Sequence, residues 1–137
     1  MAVNTAPIFI DAGSIGAVTV STANTGRDGS GTIADLVGTS TDGERVDRLE
    51  ATARGPTTAG MLRFFIHDGS VWRFWFERFV TATTPNATTI SPWRMTPVQL
   101  SNNTVTDGAF ILPATHKIGV APNNAEEFEV FAFGGVL

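Results

Sequence analysis

The fold of this chain is decided by residues 61–76, which read MLRFFIHDGSVWRFWF. Two runs of bulky apolar side chains flank Asp68-Gly69, a pair that favours the positive φ of a tight two-residue turn. The pattern predicts a β-hairpin over residues 60–82. A two-residue turn would place His67 opposite Ser70 and Phe65 opposite Trp72.

In that register both faces of the hairpin are rich in apolar side chains. One face carries Met61, Arg63, Phe65, Trp72, Phe74 and Phe76, and the other carries Leu62, Phe64, Ile66, Val71, Arg73 and Trp75. A sheet with one wet face alternates apolar with polar residues, so the second face needs a cover. The cover would be a long loop, a second sheet of the same chain or a neighbouring subunit. At about 25 cal/mol per Å² and roughly 150–250 Å² per ring, two uncovered rings would forgo several kcal/mol.

The rest of the chain also favours strands. Its 137 residues, 42% hydrophobic and 16% charged, are enough for one core and too few for two. Gly, Pro, Thr and Asn interrupt every window that could hold a helix of three turns. We therefore expect an all-β, single-domain antiparallel β-sandwich over residues 1–137, with residues 1–7 as a flexible N-terminal arm. The strand candidates are 8–11, 15–21, 33–37, 45–54, 60–67, 71–82, 93–100, 109–112, 116–121 and 127–133.

Composition excludes several classes of function. There is no cysteine, which removes disulfides and thiolate metal sites. The net charge of −4 argues against nucleic acid as a partner, since a basic excess is the usual footprint of that class. No apolar run reaches the roughly 18 residues of a membrane helix, and no basic-then-apolar start marks a secretion signal. We expect a chain that is made and kept in the cytoplasm, or assembled there, with no membrane partner.

The sequence offers little catalytic chemistry. Histidine is the side chain best suited to proton transfer near neutral pH, and the two histidines, His67 and His116, are both interpreted as structural side chains. Nucleophile elbows, Walker loops and dinucleotide fingerprints are missing. Alternation places Glu127 and Glu129 on one strand face and Phe128 on the other, which indicates a solvated face and no metal site. We expect no enzyme activity, cofactor, metal or small-molecule substrate.

The arginines suggest an interface. Arg63 and Arg73 lie among Phe and Trp residues, and this combination is typical of interface cores. The alternative is ion pairing on a wet face, with Arg73 near Glu77 or Arg48 near Glu50. Residues 24–32, a polar loop, are either a mobile connection or a segment that orders against a partner.

Several segments resemble a known group of proteins. They are residues 45–66 (RVDRLEATARGPTTAGMLRFFI), 80–85 (VTATTP), 111–114 (ILPA) and 123–135 (NNAEEFEVFAFGG). Together they resemble small virion proteins of tailed bacteriophages, which in several cases are head decoration or cement proteins. The resemblance covers roughly residues 43–135.

The resemblance implies a jelly-roll sandwich that forms homotrimers on the outside of the phage head, at or near threefold axes, and strengthens it. The chain would then be made in the host cytoplasm and reside on the capsid surface, with itself and the major capsid protein as partners. Our candidates for the intersubunit contact are Leu62, Phe64 and Trp75, or Met61, Phe74 and Phe76, with Arg63 and Arg73. Candidates for capsid docking lie in residues 1–7 and 24–32, namely Asn4, Thr5, Pro7 and Arg27.

Two other functions remain open at this point. One is a different virion part, such as a head fibre base or a tail-tip component. The other is a carbohydrate-binding module that uses Trp93. A flat sugar platform would need adjacent rings, whereas spacing places Trp72 and Trp75 on opposite faces of their strand.

Overall fold

Short alternating runs separated by glycine turns form strands along the whole described chain. The computed structural model describes residues 10–88, 92–95, 98–101, 104–107 and 109–137, with the backbone alone between 92 and 107. These ranges contain no helix. The strands are β1 (Ala12–Val20), β2 (Ala34–Val37), β3 (Glu44–Ala53), β4 (Gly60–His67), β5 (Trp72–Val80), β6 (Pro92–Met95), β7 (Val98–Ser101), β8 (Thr104–Asp107), β9 (Phe110–Leu112), β10 (Lys117–Pro122) and β11 (Phe128–Val136).

Two antiparallel sheets pack face to face. The five-stranded sheet has the order β1-β11-β3-β6, with β9 also paired to β3, and the four-stranded sheet has the order β2-β10-β4-β5. A separate hairpin joins β7 to β8. The core between the sheets takes Leu49 and Val130 from the first sheet and Leu62, Phe64 and Ile118 from the second, all fully buried. The predicted antiparallel β-sandwich is confirmed.

The strand pairing is nested along the chain. β1 pairs with β11, β2 with β10, β3 with β9 and β6, and β4 with β5. The chain therefore folds back on itself like one long hairpin, and its successive strand pairs alternate between the two sheets.

Four Asp-Gly pairs, at residues 28–29, 42–43, 68–69 and 107–108, predict tight turns with positive φ at the glycine. Gly29, Gly43 and Gly69 have φ values of 83°, 95° and 91°. The fourth predicted turn, at Asp107-Gly108, includes a residue outside the described ranges.

The register expected for the β4–β5 hairpin is wrong. His67 pairs with Trp72, not with Ser70, because the connection has four residues and not two. The Asp68 carboxylate accepts hydrogen bonds from the backbone N–H groups of Ser70 (3.0 Å) and Val71 (2.9 Å), and these bonds close the wider turn. These bonds, together with a salt bridge to Arg73, hold the pKa of Asp68 well below its usual range.

A bulge changes the faces of β5 as well. Phe65 pairs with Phe74 and Phe64 with Phe76, so Trp75 is an extra residue on β5. Both Trp75 and Phe76 pack against the core as a result. The expected grouping of Phe76 with Phe74 on one face is therefore wrong.

Most predicted strands occur near their expected bounds, and β4 has the predicted bounds. The run 93–100 divides into β6 and β7. The polar segment 101–104, whose small residues favour a loop, includes the last residue of β7 and the first residue of β8. The expected arm, residues 1–7, and the first half of the candidate strand 8–11 lie outside the described residues.

Candidate functional site

The outer face of the four-stranded sheet is covered by a loop of the same chain. Residues 21–33, here called the strap, lie between β1 and β2. Phe65 points away from the sandwich core, yet its exposed fraction is 0%. Its ring makes an edge contact with Phe74 at 5.9 Å. On the neighbouring strand β10, a Cβ added to Gly119 would lie 2.5 Å from Ile33 of the strap, so the strap fits the sheet closely.

The strap is folded around Asn24. The Asn24 amide Nδ2 donates to the carbonyl oxygens of Ser30 (2.9 Å) and Thr32 (3.1 Å), and its Oδ1 accepts from the N–H of Gly26 (3.0 Å). The backbone N–H of Asn24 donates to the carbonyl of Pro122 on β10 at 2.8 Å. These bonds account for the burial of Asn24 and give the polar loop a defined shape.

Arg63 fixes the strap to the sheet. It lies on the outer face of β4 and is only 3% exposed. Its Nη1 donates to the Asn24 carbonyl at 2.9 Å, and its Nε lies 3.1 Å from Oε2 of Glu77. A buried cation needs such partners because its desolvation is costly.

Arg27 and Glu77 form a second link between strap and sheet. Arg27 donates through Nε (3.2 Å) and Nη2 (2.9 Å) to the two carboxylate oxygens of Glu77. Hydrogen bonding and the nearby negative charge raise the pKa of Arg27. Glu77 therefore receives one guanidinium from β4 and one from the strap, and the tip of the strap follows β5.

The strap leaves part of the edge strand β5 and the adjoining turn exposed. Phe74 is 38% exposed, Phe79 is 53% exposed and Val71, in the hairpin turn, is 46% exposed. β5 is the edge strand of its sheet among the strands that the structure describes. Phe79 was not among the predicted site residues; its face becomes clear only once the bulge is known.

The predicted interface residues divide between core and surface. Leu62 and Phe64 are fully buried inside the chain, so they present no surface to a partner. Trp75 and Phe76 are partly buried against that core, and Met61 is half-buried. Arg63 lies beneath the strap.

Of the two ion pairs expected on a wet face, the structure contains one. Arg73 is exposed and forms a salt bridge with Asp68 at 2.8 Å, and not with Glu77. The expected pair of Arg48 and Glu50 is confirmed at 3.1 Å.

The structure describes one of the four capsid-docking candidates. Asn4, Thr5 and Pro7 lie outside the described residues, whereas Arg27 lies near the exposed tip of the strap. The loop 24–32 is thus ordered against its own sheet. The sequence carries a signal for this order. Asn24 and Asp28 lie two residues before Gly26 and Ser30, the spacing at which an Asn or Asp side chain accepts a hydrogen bond from the backbone of a turn.

The two histidines take part in local turns. His67 Nδ1 accepts from the N–H of Gly69 at 3.2 Å, and its ring meets Trp72 edge-on at 5.0 Å. His116 Nδ1 lies 3.2 Å from the Ala114 carbonyl. Phe128 is buried and Glu127 exposed, as alternation predicts.

Three features of the described residues bear on other classes of site. Within the described residues, no group of three acidic or histidine side chains is placed to hold a metal ion. The described part of the chain likewise has no helix long and apolar enough to cross a membrane. A cleft of about 120 Å³ between β1 and the end of the strap is lined by hydroxyl and aliphatic residues, none of them charged: Thr19, Val20, Ser21, Thr22, Thr32, Ala34, Val120 and Pro122.

Comparison of the chain with protein-family models, curated proteins and solved structures gives no match.

Proposed function

We propose that this chain is a capsid decoration protein of a tailed bacteriophage, which binds the outside of the assembled head as a homotrimer and stabilises it. The observation that carries the proposal is the nested pairing of strands across two sheets. This order supports a jelly roll, an architecture that recurs in viral capsid domains. The resemblance of residues 43–135 to small virion proteins supports the same assignment.

The mechanism would be mass action over many copies. A protein that binds the assembled shell and not its separated subunits stabilises the shell by its binding free energy. Such a role requires a rigid body with exposed contact surfaces. The sandwich core and the strap clamped by Arg63 would supply the rigidity, while Phe74, Phe79 and Arg27 would supply contacts at the rim.

Copy number per particle tests the proposal. Purified virions of the source phage would be analysed by quantitative mass spectrometry, with the major capsid protein as the internal standard. A decoration protein should be present in hundreds of copies, whereas a fibre base or a tail-tip component should be present in a few. A low copy number, or the absence of the chain from the particle, would overturn the assignment.

A second measurement tests the stabilising role. Heads lacking the chain would be heated with and without added protein, and the release of DNA would be followed by dye fluorescence. Added protein should raise the release temperature in a saturable way. A release temperature that stays unchanged at saturating protein would overturn the stabilising role.

A further inference from the structure

We infer that the hydroxyl of Thr58 forms an ester with the side chain of Asn124 and releases ammonia, so that a covalent bond joins two loops of the sandwich. Thr58 lies between β3 and β4, and Asn124 lies between β10 and β11. The two residues are 66 positions apart in the chain, and a hydrogen bond between their side chains brings them together. Glu126 and Asn123 complete the group.

The Thr58 hydroxyl has a base as its hydrogen-bond acceptor. Its Oγ1 donates to Oε1 of Glu126, and the backbone N–H of Thr58 donates to the same oxygen at 2.7 Å. The backbone N–H of Glu126 donates to the Asn124 carbonyl at 2.8 Å, which fixes the loop that carries the carboxylate. A hydroxyl becomes a nucleophile when an adjacent base takes its proton, and Thr58 and Glu126 have that arrangement.

The carboxamide of Asn124 lies against the same hydroxyl. Its Nδ2 donates to Thr58 Oγ1 at 2.9 Å, and its Oδ1 accepts from Nδ2 of Asn123 at 2.9 Å. The oxygen on which negative charge develops during an attack on the amide therefore has a donor in place. Gly60, the first residue of β4, makes room for the carboxamide, because a Cβ there would lie 2.6 Å from Nδ2 of Asn124.

The step exchanges an amide for an ester and needs no other reactant. Rotation of the carboxamide about its Cβ–Cγ bond turns Cγ of Asn124 towards Thr58 Oγ1, and the O–C bond forms while the carbonyl electron pair moves to Oδ1. The hydroxyl proton passes to Glu126 and from there to Nδ2. The C–N bond then breaks, ammonia leaves into the solvent, and the carboxylate of Glu126 is restored. Holding the two groups in contact supplies the high effective concentration that the attack requires.

The bond would act as a staple between distant parts of the chain. It would tie the segment before β4, in the four-stranded sheet, to the segment before β11, in the five-stranded sheet. A covalent link across a long loop restricts the unfolded chain and so favours the folded one. The chain has no cysteine, so an ester would supply the cross-link that a disulfide supplies elsewhere.

The mass of the intact chain tests the ester. Wild type, Thr58→Val, Glu126→Gln and the control Thr19→Val would be measured by electrospray mass spectrometry. Thr19 is matched to Thr58 because its hydroxyl also donates to a carboxylate, that of Glu129, at 2.6 Å. Wild type and Thr19→Val should be lighter than their sequences by about 17 Da, the mass of one ammonia molecule, whereas Thr58→Val and Glu126→Gln should have their full sequence masses.

Tryptic peptides locate the bond. Trypsin cleaves after Arg54, Arg63 and Lys117, so Thr58 lies in residues 55–63 and Asn124 in residues 118–137. Wild type should give these two segments as one cross-linked species, and hydroxylamine, which cleaves esters and spares amides, should separate them.

Three results would overturn the ester. The first is a wild-type chain of full sequence mass. The second is a chain about 1 Da heavier than its sequence, because this mass means that Asn124 is hydrolysed to Asp and no bond remains. The third is a loss of about 17 Da that persists in Thr58→Val, since a cyclic imide within the backbone would then be the source.

Discussion

Replacing Phe65 by Ala should destabilise the protein as strongly as a core substitution, although Phe65 lies on the sheet face that points away from the core. The side chain is fully buried, its ring contacts Phe74, and Ile33 of the strap and Trp72 of β5 lie over the paired Gly119 on the same face. At about 25 cal/mol per Å² and roughly 150 Å² of lost apolar area, the transfer free energy alone is about 4 kcal/mol. This agrees with the range of about 3–5 kcal/mol for Phe→Ala at buried sites. On an uncovered face the same change should cost less than about 1 kcal/mol.

Urea unfolding followed by tryptophan fluorescence measures the difference. With an m value of about 2 kcal/mol per M, the midpoint of Phe65→Ala should fall by about 1.5–2.5 M relative to wild type. Ile15→Ala, at a position that is 66% exposed, is the control and should change stability by about 0.5 kcal/mol or less. All variants are compared at one protein concentration, because association adds to apparent stability. Equal midpoints for Phe65→Ala and the control would refute the strap as a cover.

Three further substitutions test other parts of the structure. Arg63→Met removes the buried clamp and should cost about 1–3 kcal/mol, with faster tryptic cleavage after Arg27; an unchanged cleavage rate would contradict the clamp. The depressed pKa of Asp68 means that its carboxylate stabilises the fold above the unfolded value of about 3.9 and that this contribution is lost as the pH falls. The urea midpoint should therefore decline less between pH 5 and pH 2 in Asp68→Asn than in wild type, and parallel declines would exclude the effect. Gly134→Ala places a Cβ 1.8 Å from a backbone oxygen of β3 and should cost about 1–3 kcal/mol, whereas Gly13→Ala, with nothing within 4 Å, should change stability by about 0.5 kcal/mol or less in the same unfolding assay.

The fold class could be predicted because local patterns determine it. The run of bulky apolar residues in 60–67 and the glycines after Asp28, Asp42 and Asp68 are properties of short segments, and the structure agrees with them. The nested order of the sheets is not local. It depends on which strands meet across long stretches of chain, such as β1 with β11, and no local pattern predicts those pairings.

The hairpin register shows where local reasoning fails. Asp68-Gly69 correctly predicts a turn, but the Asp68 carboxylate can close a turn of two or four residues. The bulge at Trp75 then moves Phe76 into the core and leaves Phe79 on the outer face. A shift of one residue reverses every side chain beyond it, so the candidate interface residues could not be assigned from alternation alone.

The two apolar faces of the hairpin required a cover, and the strap supplies it within one chain. A second apolar face favours association, yet Phe65 on that face is fully buried within one chain and needs no partner. The aromatic rings that stay exposed on this face are Phe74 and Phe79. They lie on the strand that carries Glu77, which Arg27 of the strap binds. Because Arg63 and Arg27 both join β4 or the strap to Glu77, loosening either link should weaken the cover over this face and lower the stability of the fold. A variant such as Arg63→Met should then unfold at a lower urea concentration than wild type, whereas Phe79→Ser, which replaces a ring that is 53% exposed, should move the midpoint by less than Phe65→Ala does.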